Sequence, residues 1–332
     1  MNGQCRYIFS MGELHRRDDS ILFKNEKGNN YIPIKDTKEI YCFNEVSFNT
    51  KFLDLISKAG ITVHYFNYYG QYSGTYFPKK YLLSGKLLIK QALAYENQRC
   101  EIAKKVVYSI ARNIREVLYH YYRHGKTNLK YTMDICKDAE KLLNKTNNIQ
   151  QIMAIEGNIW ANFYDSFKYF LPEDFIMNKR VKRPPDNPIN ALISFGNSIL
   201  YSKCISQLYH THLEQSISFL HEPSEGRFSL SLDISEAFKP VVVFKTIFNL
   251  INTKKLNIDD HFNSELNYCL LNENGKKIFI EALENTLNET VKHPTLKRNV
   301  SYLSLIKYDG YKLIKYIMEN KDFNFYLEEK LC

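Results

Sequence analysis

The hydrophobic pattern of this chain changes period once, at Pro78-Lys79-Lys80, and that change divides what can fold before it from what can fold after it. Ahead of it, apolar and polar residues alternate in CRYIFS, ILFKNEKGNNYIPI, EIYCFN and ITVHYF, with Lys-Gly-Asn-Asn as a turn between two apolar arms. One short helix interrupts them in NTKFLDLISKAG, where Phe52, Leu55, Ile56 and Ala59 share a face and Gly60 stops the helix. Beyond the change, the spacing predicts helices over 81–122 (with a break near its middle), 131–145, 148–170, 188–219, 232–253, 261–271, 274–290 and 297–319. The loop KRVKRPPDNP, residues 179–188, is the clearest interruption, because its prolines fix the backbone and remove amide donors. The expected class is α+β, a small N-terminal β-rich, sandwich-like domain over 1–78 followed by a larger all-α domain over 79–332.

An apolar share of 44% with 25 Tyr and 21 Phe argues against disorder. Seven cysteines are scattered without a C-x-x-C pair, as expected of reduced thiols in the cytoplasm. No apolar run approaches the roughly 20 residues of a membrane span, and MNGQCRYIFSMGELHRRDD lacks the apolar stretch of a signal peptide. Net charge is +9, and residues 79–126 alone hold eleven Lys or Arg, among them Lys79, Lys80, Arg112 and Arg115, against three Glu. Interleaved with tyrosines, that stretch suits either a solvated helix surface or a track for phosphates.

Three places carry candidate chemistry. In QIMAIEGNIWANFYDSF, Glu156 stands among Ile152, Ile155, Ile159, Trp160 and Phe163, where a carboxylate needs a partner, a proton or a cation. Gly157 beside it costs a helix about 1 kcal/mol relative to Ala, which points to close approach of something large, although an edge Glu with an incidental Gly fits the same letters. His221 is expected to close the helix 188–219, a position that suits a carbonyl cap as well as a ligand. In SLSLDISEAFKPVVVF, Asp233 and Glu236 fall on one side of a helical turn, about 5–6 Å apart at Cβ, and repel unless a cation lies between them. Acids in the first turn of a helix, with Ser231 or Asp233 as its cap, fit equally. Glu156, His221 and a carboxylate fifteen residues past that His make an oxygen and nitrogen donor set without thiolate, suited to Mg²⁺ or Mn²⁺.

These stretches, AIEGNIWANFYDSF, NPINALISFGNSILYSKCISQLYHTHLEQSISFLHEPSEGRFSLSLDISEAFKPVVV and GITVHYFNYYGQYSGTYFP, together resemble the CRISPR-associated integrase family, the Cas one proteins that insert new spacers into CRISPR arrays. HYFNYYGQYSG looks most like the type I-B branch. The likeness covers nearly the whole chain, and its specific part is the ordered set Glu-Gly, His, Leu-Asp-x-x-Glu-x-Phe-Lys-Pro.

The resemblance implies a metal-dependent DNA endonuclease and integrase that inserts short duplex DNA by attack of a 3′-hydroxyl on a phosphodiester. The family's metal ligands match Glu156, His221 and Glu236, its additional acid matches Asp233, and the cofactor is Mn²⁺ or Mg²⁺. Lys239 stands where the family often has Arg, which keeps the charge but loses bidentate geometry toward phosphate. Phosphate contacts are expected from Lys79, Lys80, Arg112, Arg115, Lys239 and the loop residues Lys179, Arg180, Lys182 and Arg183. Also implied are a homodimer formed through the N-terminal domains, the Cas two protein bridging two such dimers, and in type I-B systems Cas four. Two other readings remain open: a structure-specific nuclease on branched DNA, and a non-catalytic DNA-binding protein whose acids are helix caps.

Overall fold

The structure is a computed structural model, and it describes residues 3–78, 82–265, 268–293 and 296–328. The chain forms two compact units, Met1–Leu82 and Leu83–Cys332. Lys79 and Lys80, at the expected hinge, lie outside the described residues.

The first unit contains β1 (Gln4–Ile8), β2 (Gly12–Arg17), β3 (Ser20–Asn25), β4 (Gly28–Pro33), β5 (Thr37–Cys42), β6 (Val46–Phe48), α1 (Thr50–Ala59), β7 (Thr62–Phe66) and β8 (Tyr72–Tyr76). One four-stranded sheet has the order β1-β5-β7-β8, with β1, β5 and β7 parallel and β8 antiparallel. The other has the order β4-β3-β2-β6. Joining parallel β5 to β7 needs a crossover, and the stretch through β6 and α1 supplies it. Ile8, Ile40, Cys42 and Val63 of the first sheet, Leu14, Ile21 and Phe23 of the second, and Phe52, Leu55 and Ile56 of α1 make one apolar cluster, so the two sheets share a core. α1 begins where Asn49 Oδ1 accepts from the Phe52 amide (3.1 Å) and ends at Gly60, whose φ of 73° suits a residue without a Cβ.

The second unit is mainly helical: α2 (Gly85–Arg123), α3 (Lys130–Leu143), α4 (Ile149–Asp165), α5 (Pro188–Tyr209), α6 (Ser229–Phe238), α7 (Lys245–Asn252) and the single turn α8 (Ile258–His261). α9 (Glu273–Asn288) and α10 (Tyr302–Glu319) complete it. α2 runs 39 residues without the expected break. Two further expectations are corrected. The helix expected over 188–219 stops at Tyr209, because α2 takes over the following backbone: Gln91 Nε2 donates to the carbonyls of Glu214 (2.8 Å) and Ile217 (3.1 Å), and Gln91 Oε1 accepts from the Glu214 amide (3.0 Å). The helix expected over 261–271 is instead a ribbon of β9 (Phe262–Glu265) and β10 (Tyr268–Leu271), and β11 (Thr290–Lys292) pairs with β12 (Asn299–Ser301). The larger unit is therefore helical with two short ribbons rather than all-α.

Between α6 and α7 the segment Lys239–Phe244 is a π-helix, in which the Lys245 amide reaches back five residues to the Pro240 carbonyl. In an α-helix the Pro240 ring would meet the carbonyl four residues earlier, that of Glu236; the wider turn lets the helix pass through the proline. α5 lies close against this turn, since a Cβ on Gly196 would come within 2.6 Å of Val243 Cγ1. Past α10, residues 321–328 form no helix or strand, with Phe323, Phe325 and Tyr326 buried. Asn113 of α2 ties this end down, donating to the carbonyls of Ala237 (2.7 Å) and Tyr326 (3.0 Å) and accepting from the Glu328 amide (2.7 Å).

Candidate active site

α4 turns Ile152, Ile159, Trp160 and Phe163 inward and leaves Glu156 half-buried at the rim of that face. α6 is buried along nearly its whole length, so Asp233 and Glu236, exposed by only 1% and 4%, go in with it. His221 belongs to the loop between α5 and α6, not to a helix end.

Asp233 explains how that loop is held. Its Oδ2 accepts from the amides of Phe219 (2.7 Å) and Leu220 (2.8 Å), and its Oδ1 lies 3.0 Å from the His221 amide and 2.8 Å from His221 Nδ1. Both oxygens are engaged within the chain. A carboxylate on Nδ1 fixes the ring orientation and leaves Nε2 as the electron-pair donor of the neutral imidazole. Burial depresses the basicity of His221, but the Asp233 hydrogen bond and charge outweigh it and hold the imidazole above its usual pKa.

Glu156, His221 and Glu236 line one cleft of about 650 Å³. Glu156 is pushed up to about 7, first by burial and then by the charge of Glu236, against the opposing pull of His221, Lys239 and a hydrogen bond to Trp160. Glu236 pairs with the Lys239 ammonium one turn on, which also stands 5.9 Å from the centre of the Trp160 ring. Among the described residues no three His, Cys, Asp or Glu side chains are arranged to grip a metal ion as they stand. The donor chemistry nonetheless fits a hard divalent cation. Two carboxylates and an oriented imidazole face one space, a hard oxygen and nitrogen donor set without thiolate.

The same cleft is lined by Lys179, Arg180, Lys182 and Lys239. Desolvation, then the charges of Lys239 and Arg180, keep Lys182 below its usual pKa. Arg180 is not the open phosphate contact that the sequence suggests: its terminal nitrogens donate to Val181 O, Asn190 Oδ1 (3.0 Å) and Ser194 Oγ (2.9 Å), anchoring the proline loop to α5. Arg183 is exposed on that loop, away from the cleft lining. Arg112 and Arg115 lie half-buried on α2 and also outside the lining, Arg115 at 3.5 Å from Glu116. A Cβ on Gly157 would meet nothing within 4 Å among the described residues, and the glycine opens onto the cleft. Sequence reasoning missed Tyr164 and Asn197 in the lining. The signal that finds Asn197 is a polar stripe, Asn190, Ser194, Asn197 and Tyr201, on an otherwise apolar helix.

Residues 6–285 match the family model described as CRISPR associated protein Cas1. A relative from Clostridium perfringens (strain SM101 / Type A), named CRISPR-associated endonuclease Cas1, is 43% identical over 329 residues, covering 97% of this chain and 98% of the relative. The solved structure of a Cas1 protein from Thermotoga maritima superposes with a TM-score of 0.84 at 37% identity, over 98% of this chain and 100% of that one. A casposase bound to integration product shares the fold, with a TM-score of 0.86 at 18% identity over 98% of this chain and 94% of that one. With a family match over most of its length and a relative of this identity along nearly all of it, the chain belongs to the Cas1 family of CRISPR-associated proteins.

Proposed function

We propose that this cleft cuts and joins DNA during CRISPR adaptation, inserting short duplexes into the array by attack of a 3′-hydroxyl on a phosphodiester. The observation that carries the reading is the convergence of Glu156, Glu236 and the Asp233-oriented His221 with four cationic side chains in one cleft. The type I-B assignment rests on HYFNYYGQYSG alone.

Glu156, Glu236 and His221 Nε2 are the groups to hold the divalent cation, Mn²⁺ or Mg²⁺, which when bound acidifies the attacking hydroxyl and neutralises charge on the phosphoryl oxygens. The chain's own residues do the rest. Asp233 keeps the imidazole turned into the cleft. Lys179 and Lys182 supply positive charge for the phosphates on either side of the reacting one. Lys239 sits between two tasks, paired with Glu236 now and within the same cleft as any incoming phosphate. A homodimer, a Cas2 bridge between two dimers and a Cas4 nuclease are the partners this reading brings.

The test is strand transfer of a labelled duplex with a free 3′-hydroxyl into a supercoiled plasmid carrying the cognate repeat, with the partner protein, with and without Mn²⁺. Wild type is expected to join the strands only with metal, and Glu156→Gln to abolish joining while leaving duplex affinity nearly unchanged. Equal loss of binding and joining removes Glu156 from the metal site. Nicking without joining favours the structure-specific nuclease, and binding with neither favours the non-catalytic DNA-binding protein.

A further inference from the structure

We infer that Arg99 of α2 is a positioning residue for His221, fixing the loop that carries the imidazole together with Asp233. Three polar residues of α2, Gln91, Tyr95 and Arg99, recur at intervals of four and so share one face of the helix. That face runs along the loop between α5 and α6. Gln91 meets Glu214 and Ile217 toward the start of the loop, and Arg99 meets it on either side of His221. Arg99 Nε donates to the Phe219 carbonyl (3.0 Å), Nη1 to the Tyr95 hydroxyl (2.9 Å) and Nη2 to Glu222 Oε2 (2.5 Å). The Tyr95 hydroxyl in turn donates to Glu222 Oε1 (3.0 Å), so both oxygens of Glu222 are taken.

Phe219 is thereby held at both of its peptide groups, its amide by Asp233 and its carbonyl by Arg99. Asp233 by itself is one carboxylate, a single point on which the loop can pivot. A second tie from a different helix removes that freedom. A guanidinium presents its donors in a rigid fork that meets three acceptors at once, whereas an ammonium is a single point. Stability is a poor account of the arrangement, because the Glu222 side chain is 71% exposed and an ion pair that open to water adds little. Glu156, His221 and Glu236 line the cleft, but Arg99 and Glu222 stand outside its lining, so their effect on what the cleft binds passes through His221. The inference rests on the proposed metal site and deepens it, by naming a residue outside the cleft that decides how well the imidazole serves as a ligand.

The experiment is Mn²⁺ binding to the full, tag-free chain without DNA, followed by EPR. The free-ion signal gives the affinity, and nitrogen spin-echo modulation reports an imidazole on the bound ion. Affinity for a labelled duplex in EDTA is measured alongside. Wild type is expected to show the nitrogen modulation and His221→Ala to lack it. Arg99→Ala is expected to bind Mn²⁺ roughly 3- to 10-fold more weakly, less than the roughly 10- to 100-fold lost with a group that touches the ligand itself. Its nitrogen modulation should be weaker and its duplex affinity unchanged. Arg99→Lys, which keeps the charge without the fork, is expected to fall between Arg99→Ala and wild type, and decides by the same readouts if Arg99→Ala does not fold. Mn²⁺ affinity and modulation as in wild type, or a duplex affinity that falls as far as the Mn²⁺ affinity, overturns the inference and leaves the proposed function standing. A wild type that binds no Mn²⁺, or binds it without nitrogen modulation, takes His221 out of the metal site, and the inference falls with that reading.

Discussion

Glu156 and Asp233 are both acids in a largely apolar setting, yet they are held in opposite ways. Asp233 accepts three backbone amides and an imidazole, so its charge is met inside the chain. Glu156 has its carboxyl pushed up to about 7 from an ordinary 4.5, first by burial and then by the charge of Glu236. An acid raised on folding stabilises the folded state fully below its unfolded pKa, and that contribution is lost as pH climbs through the folded value. In the metal-free protein the loss therefore falls between about pH 4.5 and 7, and by pH 8 it is of order 3 kcal/mol. Glu156→Gln removes the ionisation, so urea unfolding in EDTA should find it no more stable than wild type at pH 4.5 and clearly more stable at pH 8. A difference that does not vary with pH would mean that neither burial nor Glu236 raises this carboxyl. At this scale the sequence was readable where an acid sat in an apolar run. It gave no hint that Asp233 is turned toward backbone amides, because those amides stand at and just past the end of a segment that periodicity had assigned to a helix.

The loop between α5 and α6 shows why elements were harder to read than residues. Residues 210–219 carry enough apolar side chains to continue a helix, but Gln91, 123 and 126 positions away, takes the carbonyls of Glu214 and Ile217, and Asp233 takes the amide of Phe219. A helix inside one segment is a local property; its end here is decided by another helix. The ribbon of β9 and β10 has the same origin, since NSELNYCLL holds its apolar residues at spacings that either period tolerates. Long elements such as α2, α4 and α10 were legible because one face repeats over many turns. Gln91→Ala leaves two carbonyls and an amide of this loop unmet, and should cost about 2–4 kcal/mol in urea unfolding. Hydrogen exchange should then rise first at residues 214–221, the stretch that carries His221. Protection unchanged there would mean that Asp233 and Arg99 hold the loop without Gln91.

Across the whole molecule the division into a strand-rich and a helical unit followed from a single change of period, and the core shared by two sheets followed from alternation in short strands. What the sequence did not disclose is which cations share the acids' cleft. Lys179, Lys182 and Lys239 do, whereas Arg112 and Arg115 face elsewhere. With a net charge of +9 and several cations in one place, DNA affinity should fall at least 10-fold between 50 and 200 mM salt. Neutralising Lys179 and Lys182 together should flatten that slope more than neutralising Arg112 and Arg115. A salt response as steep in the first pair as in wild type would move the phosphate path off the cleft.

The tie from Asn113 to both Ala237 and the segment ending at Glu328 also sets an order in time. Every acid of the cleft leaves the ribosome well before that stretch, yet the buried Asn113 amide beside the Glu236 helix finds all its partners only once Tyr326 and Glu328 have followed. A chain stopped before Tyr326 carries Glu156, His221 and Glu236 without the clasp that seats the helix of Glu236, so truncation there leaves the cleft's residues made but not yet fastened.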